Sequence, residues 1–373
     1  MQSLIKTQWL RLRGEIERGD SKGHRYEGLD ILRGVAALAV LFKHFHSRLD
    51  LPYLAPNGYL AVDFFFVLSG FVIANAYGKQ LEDGTLSTGT FFWKRWIRLM
   101  PLIVVGMMIS VIAQLGRPDP DQTRHLSDVA IALIFGLSLM PILQTSFFKT
   151  PTLEQSIFPL NTPMWSLFFE VFANIAFAVY IRLRLPPWSV FVIVVVSGLW
   201  LLIGISSRGD VNFGFNTSGF WFGFPRVIWS FSIGMLIYRY RSFAPRNMFF
   251  PAMVVLVAIL LTPTLGLSRV AADMIVVMIV MPAIVFACLN ADLGSRARLC
   301  ATWGGNLSYP LYALHYPIVQ VLGYVAKAQN LPWIMQAGVV IGGTAFLVGL
   351  SAVVYTMVDV PLRRRISMLV RRA

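Results

Sequence analysis

An arginine and a histidine inside one apolar run are the residues of this chain best suited to chemistry. Arg33 and His44 lie in LDILRGVAALAVLFKHF, residues 29–45, with ten residues between them. At about 100° per residue that step is three turns plus roughly 20°, so both project from one helix face, about 16 Å apart along the axis. Asp30 falls near the same line, and Ala37 is small enough to leave room for a ligand. Ionisable groups at membrane depth are costly and face the protein interior or a cavity, so the polar line reads as a functional site. An imidazole at His44 suits a general base for an alcohol. The plainer alternative is an interfacial histidine, with His46 beside it marking a wet end.

Four more constellations accompany this pair. In GYLAVDFFFVLSGF, Asp63 falls at a depth similar to that of His44, where a carboxylate would orient the ring and raise its basicity. In FFWKRWIRLMP, Arg95 and Arg98 are three apart on one helix face beside Lys94, a grip for phosphates whose rival is simple cationic anchoring. In NTPMWSLFFEVF, Trp165 suits an interface, and Glu170 lies about 13 Å down the helix from Asn161. A carboxylate that deep needs a partner, and Arg33 or a histidine would serve. It is either structural or part of an acceptor pocket. In GNLSYPLYALHYPIV, Tyr309, Tyr312 and His315 crowd the start of a further helix, where Pro310 and Pro317 are expected to bend or break it. Ser69 and Gly70 read as small residues that let helices approach.

The elements that must carry these groups are membrane helices. With 56% hydrophobic residues, 13% charged residues and mean hydropathy +0.65, the chain is too apolar for an ordinary soluble domain. The net charge of +14 does not indicate nucleic acid, because the Lys and Arg clusters flank apolar runs. Cys288 and Cys300 make no metal or redox spacing, and no disulfide framework or metal site is indicated. The basic segment 1–28 precedes any run of signal-peptide length, so no cleaved leader is expected, and residues 2–19 read as a surface-lying amphipathic helix or a basic tail.

Apolar runs occur near 29–48, 58–78, 99–116, 128–143, 162–181, 188–206, 220–238, 249–265, 271–289, 304–325 and 333–358. Basic clusters collect on the cytoplasmic side. Counting forward from the first segment and back from Arg363 to Arg365 agrees only if the short run at 128–143 does not cross. The expectation is therefore an all-α polytopic bundle of about ten spanning helices plus one re-entrant or surface helix. Both termini would be cytoplasmic, with residues 117–160 an external excursion, 29–360 the membrane domain and 361–373 a basic tail. No internal repeat is visible, which weighs against the rival class, a transporter or flippase of a lipid-linked glycan or acyl donor.

Five segments in order, LDILRGVAALAVLFKH, GYLAVDFFFVLSGF, KRWIRLMP, MWSLFFE and LSYPLYALH, together resemble acyltransferase family three, over roughly residues 25–360. That resemblance implies an integral-membrane enzyme of the bacterial cytoplasmic membrane. Such an enzyme moves an acyl group, usually acetyl, from acyl-CoA to a sugar hydroxyl of a surface polysaccharide, lipopolysaccharide, peptidoglycan or related glycan. It identifies Arg33 and His44 with the family's first-helix pair, and Arg95 and Arg98 with its RxxR. On this reading Lys94, Arg95, Arg98 and Arg33 hold the donor, and His44, Asp63 and Arg33 form the catalytic group. Glu170, Trp165, Tyr309, Tyr312 and His315 receive the acceptor. Direct transfer and a transient acyl-enzyme on His44 or a serine both fit the spacing. The expected partners are acyl-CoA, the sugar, the bilayer, and a second copy or the polysaccharide-synthesis machinery. Some relatives carry a hydrolase-like domain after the last span; ending soon after Arg372, this chain is expected to lack that second step.

Overall fold

The computed structural model describes residues 25–49, 51, 54–118, 123–262 and 266–372. The first 24 residues, where an amphipathic surface helix was one expectation, lie outside the described residues. Among those described there is no β-strand, and one isolated bridge joins Arg246 and Asn290. In order the helices are α1 (Glu27–His46), α2 (Ala61–Glu82), α3 (Thr88–Leu115), α4 (Leu126–Leu137), α5 (Met164–Arg182), α6 (Ser189–Arg208), α7 (Phe220–Arg239), α8 (Phe249–Leu261), α9 (Arg269–Ile275), α10 (Met281–Ala287), α11 (Ser295–Ala328), α12 (Trp333–Val354) and α13 (Val360–Arg372).

Two of the rods contain a π turn, Val276–Val280 between α9 and α10 and Tyr355–Asp359 between α12 and α13. Each ends two residues before a proline, Pro282 and Pro361. A proline cannot donate to the carbonyl four residues back and its ring crowds that carbonyl, so a locally wider turn lets the rod pass it unbroken.

Among the described residues seven rods are long and apolar enough to cross a membrane, and the chain is a multi-pass membrane protein. α1 and α11 are not among them. α1 carries Glu27, Asp30, Arg33 and Lys43, and α11 carries the tyrosines and His315. These two polar helices lie along one another more extensively than any other pair. A Cβ on Gly34 would stand only 3.0 Å from the Cα of Gly304, so the two backbones meet there. The second close pair is α2 with α7, where Gly70 sits on the Phe231 carbonyl and Gly234 on the α2 backbone at Val67 and Phe71. Small residues at such crossings let membrane helices gain packing contacts that lipid does not offer.

Two apolar runs form helices shorter than a span. α4 has 12 residues, about 18 Å against a hydrocarbon core of about 30 Å, in keeping with the expectation that this run does not cross alone. The following loop is held by Asp128, which accepts from the Lys149 and Thr150 amides at 2.8 and 2.9 Å. The run at 249–265 was expected to span, but α8 stops at Leu261. Thr262 is extended because Pro263 follows it and disfavours a helical residue before it. The exposed carbonyls at that end are taken by Asn57, whose amide donates to Ile259 and Thr262 at 3.0 and 2.6 Å. α11 also departs from expectation. It begins nine residues before the apolar run at 304 and passes Pro310 and Pro317 without a break.

The glycine crossings carry a direct test. Gly234→Leu should overpack the α2–α7 contact and destabilise the bundle by about 1–3 kcal/mol or more. Gly349→Leu, where a Cβ meets nothing within 4 Å, should leave the melting temperature in detergent unchanged.

Candidate functional site

The α1–α11 pair carries two polar clusters, one toward each end. At the histidine end, the His44 ring lies 5.1 Å from that of His315 and 5.1 Å from that of Tyr316, centroid to centroid. His44 is half-buried, and no group among the described residues hydrogen-bonds its ring nitrogens. His315 is fully buried, with Nδ1 3.1 Å from the Leu311 carbonyl and 2.8 Å from that of Tyr312. Carbonyls only accept, so the proton of a neutral His315 sits on Nδ1 and Nε2 presents a lone pair. That Nε2 is buried without a partner. A buried acceptor left unpaired in a protein interior needs an explanation, and a site beside another imidazole supplies one.

Around this pair α11 and the start of α5 interlock. The Thr162 hydroxyl donates to the Tyr316 oxygen at 3.1 Å, and the Tyr312 and Ser166 hydroxyls are 2.6 Å apart. Pro317 cannot take the Ala313 carbonyl, and Asn161 fills that gap by donating to it from Nδ2 at 3.0 Å. Asn161 thus supports α11 in place of the lost helical bond, while its own Oδ1 is buried and unpaired.

At the arginine end, the RxxR splits. Arg95 is buried and donates to Glu170 Oε1 at 2.6 Å, and the Ser69 hydroxyl donates to the same oxygen at 3.2 Å. Arg98 is exposed, as is Lys94, and Arg98 has no hydrogen-bond or ion-pair partner among the described residues. Arg33 stands 3.4 Å from Asp30 Oδ1 and within electrostatic range of Arg98, Glu170 and Arg95. Tyr309 belongs to this end, its hydroxyl donating to the Leu99 carbonyl at 2.8 Å. A cavity of about 290 Å³ adjoins Arg95, lined by Phe91, Phe92, Trp96 and Asn174 among others. Both amide atoms of Asn174 are buried and unpaired.

Several expectations need correction. Asp63 does not serve His44. Both of its oxygens accept from Arg226, at 2.8 Å from Nε and 2.7 Å from Nη2, and neither side chain reaches solvent. Arg226 also donates to the Phe213 and Tyr59 carbonyls at 3.0 and 3.3 Å, with its guanidinium 5.3 Å from the Trp165 ring centroid. Trp165 is therefore buried beneath a cation rather than at an interface. The partner of Glu170 is Arg95, not Arg33. Of Tyr309, Tyr312 and His315, expected as one acceptor group, Tyr312 and His315 keep together with ring centroids 5.7 Å apart, whereas Tyr309 turns to the arginine end.

Arg226 and Tyr316 are the residues that motif reading passed over. The one cue to Arg226 was a single arginine inside the apolar run FWFGFPRVIW. Arg226→Met should cost about 3–5 kcal/mol, because it strands Asp63 as an unpaired buried charge. Combining it with Asp63→Leu should recover most of that loss, and thermal melting of the solubilised protein checks both.

The sequence pattern of a family described as "Acyltransferase domain" matches residues 26–356, nearly the whole described chain. Over 167 residues the chain is 40% identical to "Protein 2 in picA locus" of Rhizobium radiobacter, a stretch covering 42% of this chain and 83% of that protein. It is 33% identical over 111 residues to "Peptidoglycan O-acetyltransferase OatA" of Listeria monocytogenes, covering 30% of this chain and 17% of that protein. The chain thus spans a small part of the named O-acetyltransferase. No solved structure matches. With two polar clusters lodged along the first helix and its partner, and a family match from residue 26 to residue 356, the chain belongs to acyltransferase family three.

Proposed function

We propose that this protein transfers an acyl group, acetyl in the first instance, from cytosolic acyl-CoA to a hydroxyl of a sugar in a surface or exported glycan. The observation that carries this reading is the pair of clusters at the two ends of the α1–α11 seam. One is rich in arginine with exposed cations, and the other holds a half-buried imidazole without a hydrogen-bond partner. The bundle would cross the bacterial cytoplasmic membrane ten times with both termini inside, which puts the arginine end at the cytosol and the histidine end outside. In that count the 13-residue α8 stands for one crossing, with Asn57 on its last carbonyls.

In this scheme the phosphates of the donor rest on Arg98, with Lys94 and Arg33 nearby. An exposed guanidinium with no carboxylate in ion-pair contact among the described residues suits that role. Arg95, neutralised by Glu170, supports the site rather than binding phosphate itself. The slender pantetheine arm carries the thioester along the seam toward His44. There His44 takes the proton of the sugar hydroxyl, and the oxygen attacks the thioester carbonyl carbon. The carbon–sulfur bond breaks, the thiolate leaves, and the proton returns from His44 to sulfur, so the base is restored. His315 takes the orienting part once expected of Asp63. Its Nε2 lone pair can accept the second N–H of His44 as that ring becomes positive.

His44→Ala should abolish transfer in vesicles supplied with acetyl-CoA and acceptor while the protein still inserts; full activity in that variant refutes the assignment. Arg98→Gln should raise KM for acetyl-CoA about tenfold with kcat nearly unchanged, the signature of lost ground-state binding. His315→Asn should lower kcat and shift the acid limb of the pH–rate profile. An unchanged profile would remove His315 from the mechanism. For topology, a cysteine at exposed Lys149 should react with an impermeant maleimide added outside cells, and labelling only after permeabilisation would overturn the ten-span scheme.

A further inference from the structure

We infer that Arg48 and Arg117 form an anion-binding subsite beside His44, and that the acceptor carries a carboxylate or phosphate close to the hydroxyl that is acylated. This rests on the reading that the acceptor reaches His44 from this end of the bundle.

The two arginines come from separate connections, Arg48 after α1 and Arg117 after α3, and converge on one face of α11. Arg48 donates from Nη2 to the Tyr316 hydroxyl at 3.3 Å. Arg117 donates from Nη2 to Gln320 Oε1. Tyr316 and Gln320 are four residues apart, so the guanidiniums are held about one helical turn, roughly 6 Å, from each other. Arg48 is seated rather than merely tethered. Gly323, one turn further along the same face, is buried, and a Cβ there would stand only 2.7 Å from the Cβ of Arg48.

No carboxylate pairs with Arg48 or Arg117 among the described residues; the side-chain hydrogen bond each donates goes to a neutral oxygen. Each lies in the field of the other, and Nε of Arg117 is buried without a partner. Two half-buried like charges without a counter-charge among the described residues repel, and an anion between them would remove that cost and satisfy the free Nε donor of Arg117. Arginine is suited to hold a planar carboxylate or a phosphate through two donors at once.

Tyr316 fixes the relation to the chemistry. Its ring packs edge-on against His44, and its hydroxyl meets Arg48. The anion would therefore sit about one tyrosine side chain from the base, within reach of a substituent on the reacting sugar or its neighbour. A carboxylate of an acidic sugar and a sugar phosphate share this chemistry.

The test uses the full chain in phosphatidylcholine nanodiscs and needs no turnover, so it succeeds or fails independently of acyl transfer. Binding of glucose, glucuronate and glucose 1-phosphate is measured by titration calorimetry. At least one of the charged sugars should bind ten times more tightly than glucose, and whichever is favoured tells carboxylate from phosphate. In R48Q/R117Q that preference should fall to near unity, while R48K/R117K should keep most of it. Equal binding of all three sugars to the unaltered protein, or a preference that survives in the glutamine pair, overturns the proposal. So does a preference that vanishes when phosphatidylglycerol replaces part of the phosphatidylcholine, because the arginines are then seats for lipid headgroups. Acetyl-CoA consumption in the same preparations reports separately on the transferase reading.

Discussion

A polar side chain removed from water must be satisfied by the protein around it, and this bundle meets that demand by folding its two most polar long helices onto each other. α1 and α11 are the long helices that fall short of the apolarity a lipid-facing span needs, and their contact is the most extensive in the structure. The apolar rods are arranged around that seam. A single pairing therefore hides the ionisable groups from lipid and lines them up along one interface, which is also the condition for chemistry between two faces of a membrane.

Placement of charge within the bundle follows from the same demand. Arg226 and Asp63 neutralise one another, with backbone carbonyls taking two more of the guanidinium protons, so that pair is structural. Arg95 with Glu170 is a second buried pair, although Nε of Arg95 is left without a partner. Once these are set aside, the charged or titratable groups with unused capacity along the α1–α11 seam include Arg98 at one end, and His44, His315 Nε2 and the two arginines around Tyr316 at the other. Unused hydrogen-bonding capacity, rather than the mere presence of charge, separates candidate working residues from supporting ones.

Much of this was legible from residue type and spacing. The helical step from Arg33 to His44 places both toward the interior, and the shortness of the run at 128–143 foretold a helix of only 12 residues. What a single sequence does not carry is which helices touch. Asp63 was matched to His44 on depth alone, whereas its partner stands on α7, more than 160 positions away. Glu170 was matched to Arg33 or a histidine for the same reason, whereas its partner is Arg95. Helix ends were misjudged where proline acted locally. Pro263 cut α8 short, yet Pro317 did not interrupt α11, because Asn161 supplies a donor that no local pattern reveals.

The contact of Gly34 with Gly304 has a mechanical consequence. Two main chains that touch have no side chains between them to compress or re-rotamer, so the seam is stiffest there and acts as a fulcrum. Any rocking of α1 against α11 is then levered, small near Arg33 and growing along the axis, so that the imidazole end is where the two helices can part to admit something bulky.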